Sequence, residues 1–150
     1  MSKELIKEKL NKFGSSKEPF LFVLSYDLSK FYIQKLSLLP SSIKFEFDSK
    51  EIKNTKQETI LEKFPIDFNQ YKTKFDLLQE EIKSGNSYLC NLTAKTKIKT
   101  SMTLDEIYNL VQSKFKLRFQ NESDNFVCFS PERFIEIKEN KIFTYPMKGT

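Results

Sequence analysis

The C-terminal stretch constrains this chain's fold most tightly, because Ile135 to Thr144 reads as two short β-branched and aromatic runs separated by a polar turn. That pattern predicts a β-hairpin. Apolar side chains must oppose one another on one face, so Ile137 is set against Phe143 and Ile135 against Tyr145. Glu139, Asn140 and Lys141 are left as a three-residue loop, in which Asn140 tolerates unusual turn dihedrals. Carried to the open end of the hairpin, this register places Glu132 opposite Lys148 on one side of the ribbon. On spacing alone the pair reads either as an exposed cross-strand ion pair, contributing about 0–1 kcal/mol, or as a carboxyl and an amine set out for chemistry. Pro131 and Pro146 each remove a ladder donor in the same place.

At 150 residues the chain has a one-domain length. Lys and Arg number 25 against 20 Asp and Glu, and the lysines are spread along the chain as on a solvated surface. The most basic run, Lys95 to Thr100, alternates like a lysine-guarded edge strand. It lacks the interleaved aromatics of a single-strand binder, so no nucleic-acid partner is expected. With no His, and with Cys90 and Cys128 far apart in apolar runs, no zinc site is expected within these residues and both cysteines are expected to be reduced, buried and structural. No apolar stretch approaches 18 residues and the N-terminus opens a charged helix, which argues against a membrane segment and makes the cytoplasm the default compartment.

Leu5, Ile6, Leu10 and Phe13 have helical spacing before Gly14, which predicts a helix from about Lys3 to Phe13 that stops at the glycine. Phe20 to Tyr26 is nearly all apolar and reads as a strand covered on both faces. The segment that follows Tyr26, through Leu36, Leu38, Leu39 and Pro40, is apolar without a clear period. Ile43 to Asp48 alternates as a half-exposed strand, and Ser49 to Thr59 is a polar surface loop. Asp67 caps a helix whose stripe Phe68, Tyr71, Phe75, Leu78 and Ile82 is expected in the core, with Gly85 as its stop. Tyr88 to Thr93 reads as a strand with polar Asn91 and Thr93 on one face. Thr103 and Glu106 form a capping box for a helix through Leu104, Ile107, Tyr108, Val111 and Phe115, winding down over Leu117 to Glu122. After a turn at 121–125, Phe126 to Phe129 is a strand. The expected class is α+β, with a mostly antiparallel sheet and flanking helices.

Four segments in order carry a family resemblance: Leu24-Ser25-Tyr26-Asp27-Leu28, Gly85-Asn86-Ser87-Tyr88-Leu89-Cys90-Asn91-Leu92-Thr93, Ser130-Pro131-Glu132-Arg133-Phe134 and Pro146-Met147-Lys148-Gly149-Thr150. Together the chain resembles the chorismate-binding enzymes, the family of anthranilate, isochorismate, salicylate and aminodeoxychorismate synthases. The resemblance implies the N-terminal half of that fold, with residues 1–150 as the first part of a domain that continues further. Relatives with aminodeoxychorismate synthase activity carry Lys where Lys148 stands, whereas anthranilate synthases carry Ala. Leu89 departs from the Gln of most relatives and from the Lys that serves isochorismate and salicylate synthases as a base on water, which argues against both of those activities. Met147 replaces the more usual Ile, a volume-conserving change.

By resemblance, Lys148 is the nucleophile that attacks C2 of chorismate as the C4 hydroxyl leaves, and Glu132 is the general acid. A neutral amine is required, which partial burial or nearby positive charge would favour. Gly149 and Thr150 are substrate-binding candidates for a carboxylate. The resemblance further implies Mg²⁺, held by carboxylates downstream of residue 150, and a glutamine amidotransferase subunit that supplies ammonia. The product is 4-amino-4-deoxychorismate, on the route to 4-aminobenzoate and folate, and residues 1–150 by themselves are expected to be inactive. Three alternatives stay open: anthranilate synthase component I, a noncatalytic module of the same fold that offers a subunit interface, and a small basic nucleic-acid binder.

Overall fold

The computed structural model describes residues 3–49, 59–130 and 133–146. The chain divides into two units, residues 1–44 with 119–125, and residues 45–118 with 126–150.

In the first unit the helix α1 spans Lys3–Ser15 and buries Ile6. Gly14 does not stop it. The left-handed residue is Lys17 (φ 54°), and the end is closed by Glu18 N–H to Phe13 O at 3.2 Å and Lys17 N–H to Gly14 O at 3.1 Å, the double bond of a Schellman cap. The chain then doubles back as β1 (Phe20–Leu24) and β2 (Phe31–Lys35), an antiparallel pair running from Phe20 opposite Lys35 to Leu24 opposite Phe31. Strand β2 lies where the sequence shows no clear period. Strand β1 is less covered than its apolar run predicts, since Phe22 is 50% exposed. Phe13 stacks on Phe20 at 5.1 Å, and Tyr32 meets the buried Phe119 edge-on at 5.2 Å.

A three-stranded sheet takes the order β3-β6-β7, with β3 at Lys44–Phe47, β6 at Phe115–Gln120 and β7 at Asn125–Phe129. The connection 121–124 between β6 and β7 is too short for anything but an antiparallel hairpin. Strand β6 corrects the expectation of a helix running on to Phe115 and beyond. Helix α3, Leu104–Leu110, does start at the predicted capping box, but Val111 is already extended (φ −86°, ψ 123°). The misreading has a physical source, because the buried face of β6 carries charge. Lys116 and Arg118 are 4% and 3% exposed. The Lys116 ammonium donates to Tyr108 O at 3.2 Å and lies 3.4 Å from Glu46 Oε1, and Arg118 donates through Nε and Nη2 to Asp105 Oδ2, both at 3.2 Å. Paired charges are tolerated inside where lone ones are not. A strand that uses them shows no apolar alternation.

In the second unit, α2 (Phe68–Lys83) begins at Asp67, whose side chain accepts from Asn69 N–H and Gln70 N–H. It ends at Gly85 (φ 78°), where Asn86 N–H reaches Glu81 O and Gly85 N–H reaches Ile82 O, both at 3.0 Å. Both signals are as the sequence predicts. The stripe is not core: no residue of α2 is buried, and Phe68 is 71% exposed. Strands β4 (Leu61–Phe64) and β5 (Lys97–Thr100) form an antiparallel ribbon with Glu62 opposite Lys99, an ion pair at 3.3 Å. The sequence foretells β5 and not β4. Residues 88–93, expected as a strand, carry none, and Tyr88 is 97% exposed. Cys90 is accordingly exposed instead of buried, Cys128 is half-buried, and both are free thiols. Most of the predicted loop 49–59 lies outside the described residues. Helices with antiparallel strand pairs make the fold α+β.

Candidate functional site

The C-terminal hairpin is present as β8 (Ile135–Lys138) and β9 (Lys141–Thr144), with a register one residue from the predicted one. Ile135 pairs with Thr144, Glu136 with Phe143, Ile137 with Ile142 and Lys138 with Lys141. Only Glu139 and Asn140 lie between the strands, and both are left-handed, at φ 51° and 59°. Two consecutive left-handed residues give the two-residue turn whose twist matches the strands. Glu139 does not advertise that conformation, and a slip of one residue moves every side chain to the other face. Phe143 and Tyr145 therefore share a face with Glu136, away from Ile135 and Ile137.

The extrapolation that set Glu132 against Lys148 loses its basis with that register. Glu132, Lys148, Gly149 and Thr150 all lie outside the described residues, so their assignment rests on the resemblance. The structure does describe what borders them.

Ser130, immediately before Pro131, is left-handed at φ 48°. Its N–H donates to Phe115 O at 2.6 Å, and its hydroxyl lies 2.5 Å from Ser113 Oγ. On the other side of Glu132, the Arg133 guanidinium lies 5.1 Å from the ring centroid of Phe115 and 5.1 Å from that of Tyr145. Arg133 Nη1 donates to Glu136 Oε2 at 2.5 Å and to Tyr145 Oη at 3.3 Å, while the Tyr145 hydroxyl donates to the same Glu136 oxygen at 2.5 Å. Phe115 thus fixes the chain before and after Glu132, through its carbonyl and its ring. Glu136 ties the Ser-Pro-Glu-Arg-Phe segment to the tyrosine that precedes Pro146.

The electrostatics agree with closed partnerships. The Tyr145 hydroxyl, and then the charge of Arg133, hold the Glu136 carboxyl below its ordinary range, and the Tyr145 bond together with Glu136 raises Arg133. Glu136 is an ionised acceptor with its donors in place, which suits a clamp better than an acid catalyst. Sequence reasoning passed over Arg133, Glu136, Tyr145 and Phe115. With the two-residue turn recognised, Glu136 and Tyr145 would have fallen on one face.

The Tyr26-Asp27-Leu28 segment closes the β1–β2 loop. Asp27 Oδ1 accepts from Ser25 Oγ at 2.7 Å, Ser29 Oγ at 2.8 Å and Ser29 N–H at 3.0 Å, and these bonds lower its pKa to about 2. Asn91 and Thr93 bond to each other, hydroxyl to amide oxygen at 3.4 Å. Among the described residues no three carboxylate, thiol or imidazole side chains gather as metal ligands. No described helix is long and apolar enough to cross a membrane.

The chain matches the family of chorismate binding enzymes over residues 32–150. It is 36% identical over 156 aligned positions to an uncharacterized PabA-like protein of Pasteurella multocida, covering 100% of this chain and 47% of that protein. An uncharacterized PabA-like protein of Haemophilus influenzae is 37% identical, with 95% of this chain and 44% of its own length aligned. An anthranilate synthase component I-like protein of Synechocystis is 29% identical over 58% of this chain and 19% of its own. The chain spans about half the length of the first two relatives. No solved structure matches.

Proposed function

The chain belongs to the chorismate binding enzyme family, and from that premise we propose that it is the N-terminal part of an aminodeoxychorismate synthase component I. The reading is that chorismate and ammonia are converted to 4-amino-4-deoxychorismate, in a domain that continues beyond Thr150. The observation that carries it is Lys148 within Pro146-Met147-Lys148-Gly149-Thr150, where the resembled enzymes divide between aminating at C4 through a lysine and forming anthranilate with an alanine.

The roles are those that the family resemblance implies. Uncharged Lys148 Nζ would form a bond to C2 of chorismate, both conjugated ring double bonds would shift, to C1=C6 and C4=C5, and the C4–O bond would break. Hydroxide is a poor leaving group, so Glu132 delivers its proton and water departs. Ammonia then bonds to C4 and the shift runs backward, expelling the lysine amine. Backbone N–H groups or the hydroxyl of Gly149 and Thr150 would receive a substrate carboxylate. The Mg²⁺ that the family uses would be held by carboxylates downstream, and ammonia would come from a glutamine amidotransferase subunit. The uncovered stripe of α2 supports the reading of an incomplete domain, since exposed apolar faces of this kind are normally buried by further structure.

The relative named as anthranilate synthase component I-like favours a second reading, anthranilate formation. Lys148 separates the two. The deciding experiment incubates chorismate, ammonia and Mg²⁺ with residues 1–150, with the chain extended through its downstream coding sequence, and with the extended Lys148→Ala. Aminodeoxychorismate from the extended chain alone, largely lost in Lys148→Ala, is the expected result. Anthranilate as the product, or undiminished turnover by Lys148→Ala, would overturn the assignment.

A further inference from the structure

We propose that the isoleucine face of the β8–β9 hairpin, formed by Ile135, Ile137 and Ile142, is a docking surface for the part of this chain that follows Thr150. The inference rests on the reading above, in which the domain continues beyond that residue.

The register divides the hairpin into two faces. Directly opposed residues share a face, so Ile135, Thr144, Ile137 and Ile142 lie on one side and Glu136, Phe143, Lys138 and Lys141 on the other. The second side is engaged. Glu136 is half-buried and bonds to Arg133, whose guanidinium lies 5.1 Å from the ring centroid of Phe115 at the start of β6. The first side is bare, with Ile137 73% exposed, Ile142 69% and Ile135 47%. Isoleucines side by side on paired strands suit a covered face, and a ribbon of two strands is marginal in water until a third strand or a packed layer joins it. Among the described residues β8 and β9 pair only with each other.

The size of the bare face selects its occupant. Three isoleucines fall far short of the roughly 800 Å² per partner that a standard interface between two proteins buries. A second copy or a separate protein would gain too little here to offset the freedom lost on association. A segment of the same chain is held at high effective concentration and needs no such area. Strand β9 ends at Thr144 and leads toward Thr150, so a continuing chain starts beside this face. The length is present in the relatives, because this chain aligns with 47% and 44% of the two PabA-like proteins and more than half of each lies outside the match. Helix α2, in the same unit and also without a buried residue, shows that the uncovered apolar surface is broader than a short peptide would fill. The bare face includes no charged side chain, so its complement is an apolar strand or helix face.

The test compares residues 1–150 with the chain extended through its downstream coding sequence, each carrying Ile137→Cys. Labelling by N-ethylmaleimide, resolved by peptide mass spectrometry, separates position 137 from the native thiols Cys90 and Cys128. Labelling at position 137 is expected to be at least about tenfold slower in the extended chain. Hydrogen exchange of residues 135–144 in the two wild-type chains reads the same contrast without a substitution, and these amides are expected to gain protection in the extended chain. Equal labelling and equal exchange in the two chains overturn the proposal. Slow labelling of residues 1–150 that quickens on dilution, together with a dimer's mass, also overturns it, since a second copy would then cover the face. Failure of the functional reading shows separately, as anthranilate formation or an active Lys148→Ala, and leaves the labelling contrast to judge the docking face.

Discussion

The Lys116 ammonium lies 4.5 Å from the ring centroid of Tyr108 and donates to the carbonyl oxygen of that same residue at 3.2 Å. One buried cation thus holds a helix residue by both its ring and its backbone. Glu46, 3.4 Å away on β3, supplies the counter-charge. Truncating Lys116 to Ala takes a donor from the Tyr108 carbonyl, removes the counter-charge of Glu46 and opens a cavity. Lys116→Ala is expected to lower the unfolding free energy by about 2–4 kcal/mol. Lys116→Met keeps most of the volume and should cost less. Chemical denaturation of the two variants checks this, and equal losses would mean that the filled volume contributes nothing.

Tyr108 itself donates its hydroxyl to Glu46 Oε1 at 3.1 Å and is 2% exposed. Tyr108→Phe removes that bond at constant packing, for an expected loss of about 1 kcal/mol. Burial, then the bond to Glu46 and its charge, raise the phenol above its ordinary 10.0. A folded-state pKa above the unfolded one gives stability that is complete below pH 10.0 and falls as the pH rises further, because only the unfolded chain then releases the proton. Unfolding midpoints measured upward from pH 9 should decline for the wild type and decline less steeply for Tyr108→Phe.

The hairpin turn offers a stabilising change. Glu139 and Asn140 both occupy the left-handed region, at φ 51° and 59°, which costs a residue with a Cβ unless its side chain bonds locally. Asn followed by Gly is the preferred pair for this turn. The double variant Glu139→Asn, Asn140→Gly is expected to stabilise the hairpin by about 0.5–1 kcal/mol and to keep Glu136 opposite Phe143. Cross-strand nuclear Overhauser effects between those residues give the register, and their absence would contradict the two-residue turn.

Legibility in the sequence followed whether a signal was local. The Asp67 cap, the Gly85 stop and the Thr103–Glu106 capping box are written in side chains that bond to their own backbone, and all three formed as read. Strand β6 was missed because Lys116 and Arg118 are buried against partners on β3 and α3, and nothing adjacent in sequence announces those partners. The α2 stripe looked like core because periodicity reports an amphipathic helix and says nothing of what covers it. For the candidate site, the two motifs were legible by resemblance, whereas the clamp required the turn type. Lys17 and Glu139, both left-handed, show how a residue without that preference shifts a helix end or a strand register by a few positions.

Asp27 gives the last prediction, and the sign of its pH dependence is fixed by its bonds. Ser25 Oγ, then the N–H and hydroxyl of Ser29, stabilise the carboxylate and take its pKa from 3.8 to about 2. A folded value below the unfolded one means that the contribution is complete above about pH 4 and is lost as the pH falls toward 2. The group is exposed, so the effect belongs to the β1–β2 loop and not to global stability. Carbon-detected titration should place the Asp27 carboxyl well below the other aspartates. Exchange protection of Ser29 N–H, which Asp27 Oδ1 accepts at 3.0 Å, should fall over the same interval. In Asp27→Asn the loop should exchange at a rate without this acid transition. A wild-type carboxyl that titrates at an ordinary value would show that the serine bonds do not persist in solution, and with them would go the account of why Ser-Tyr-Asp-Leu closes this turn.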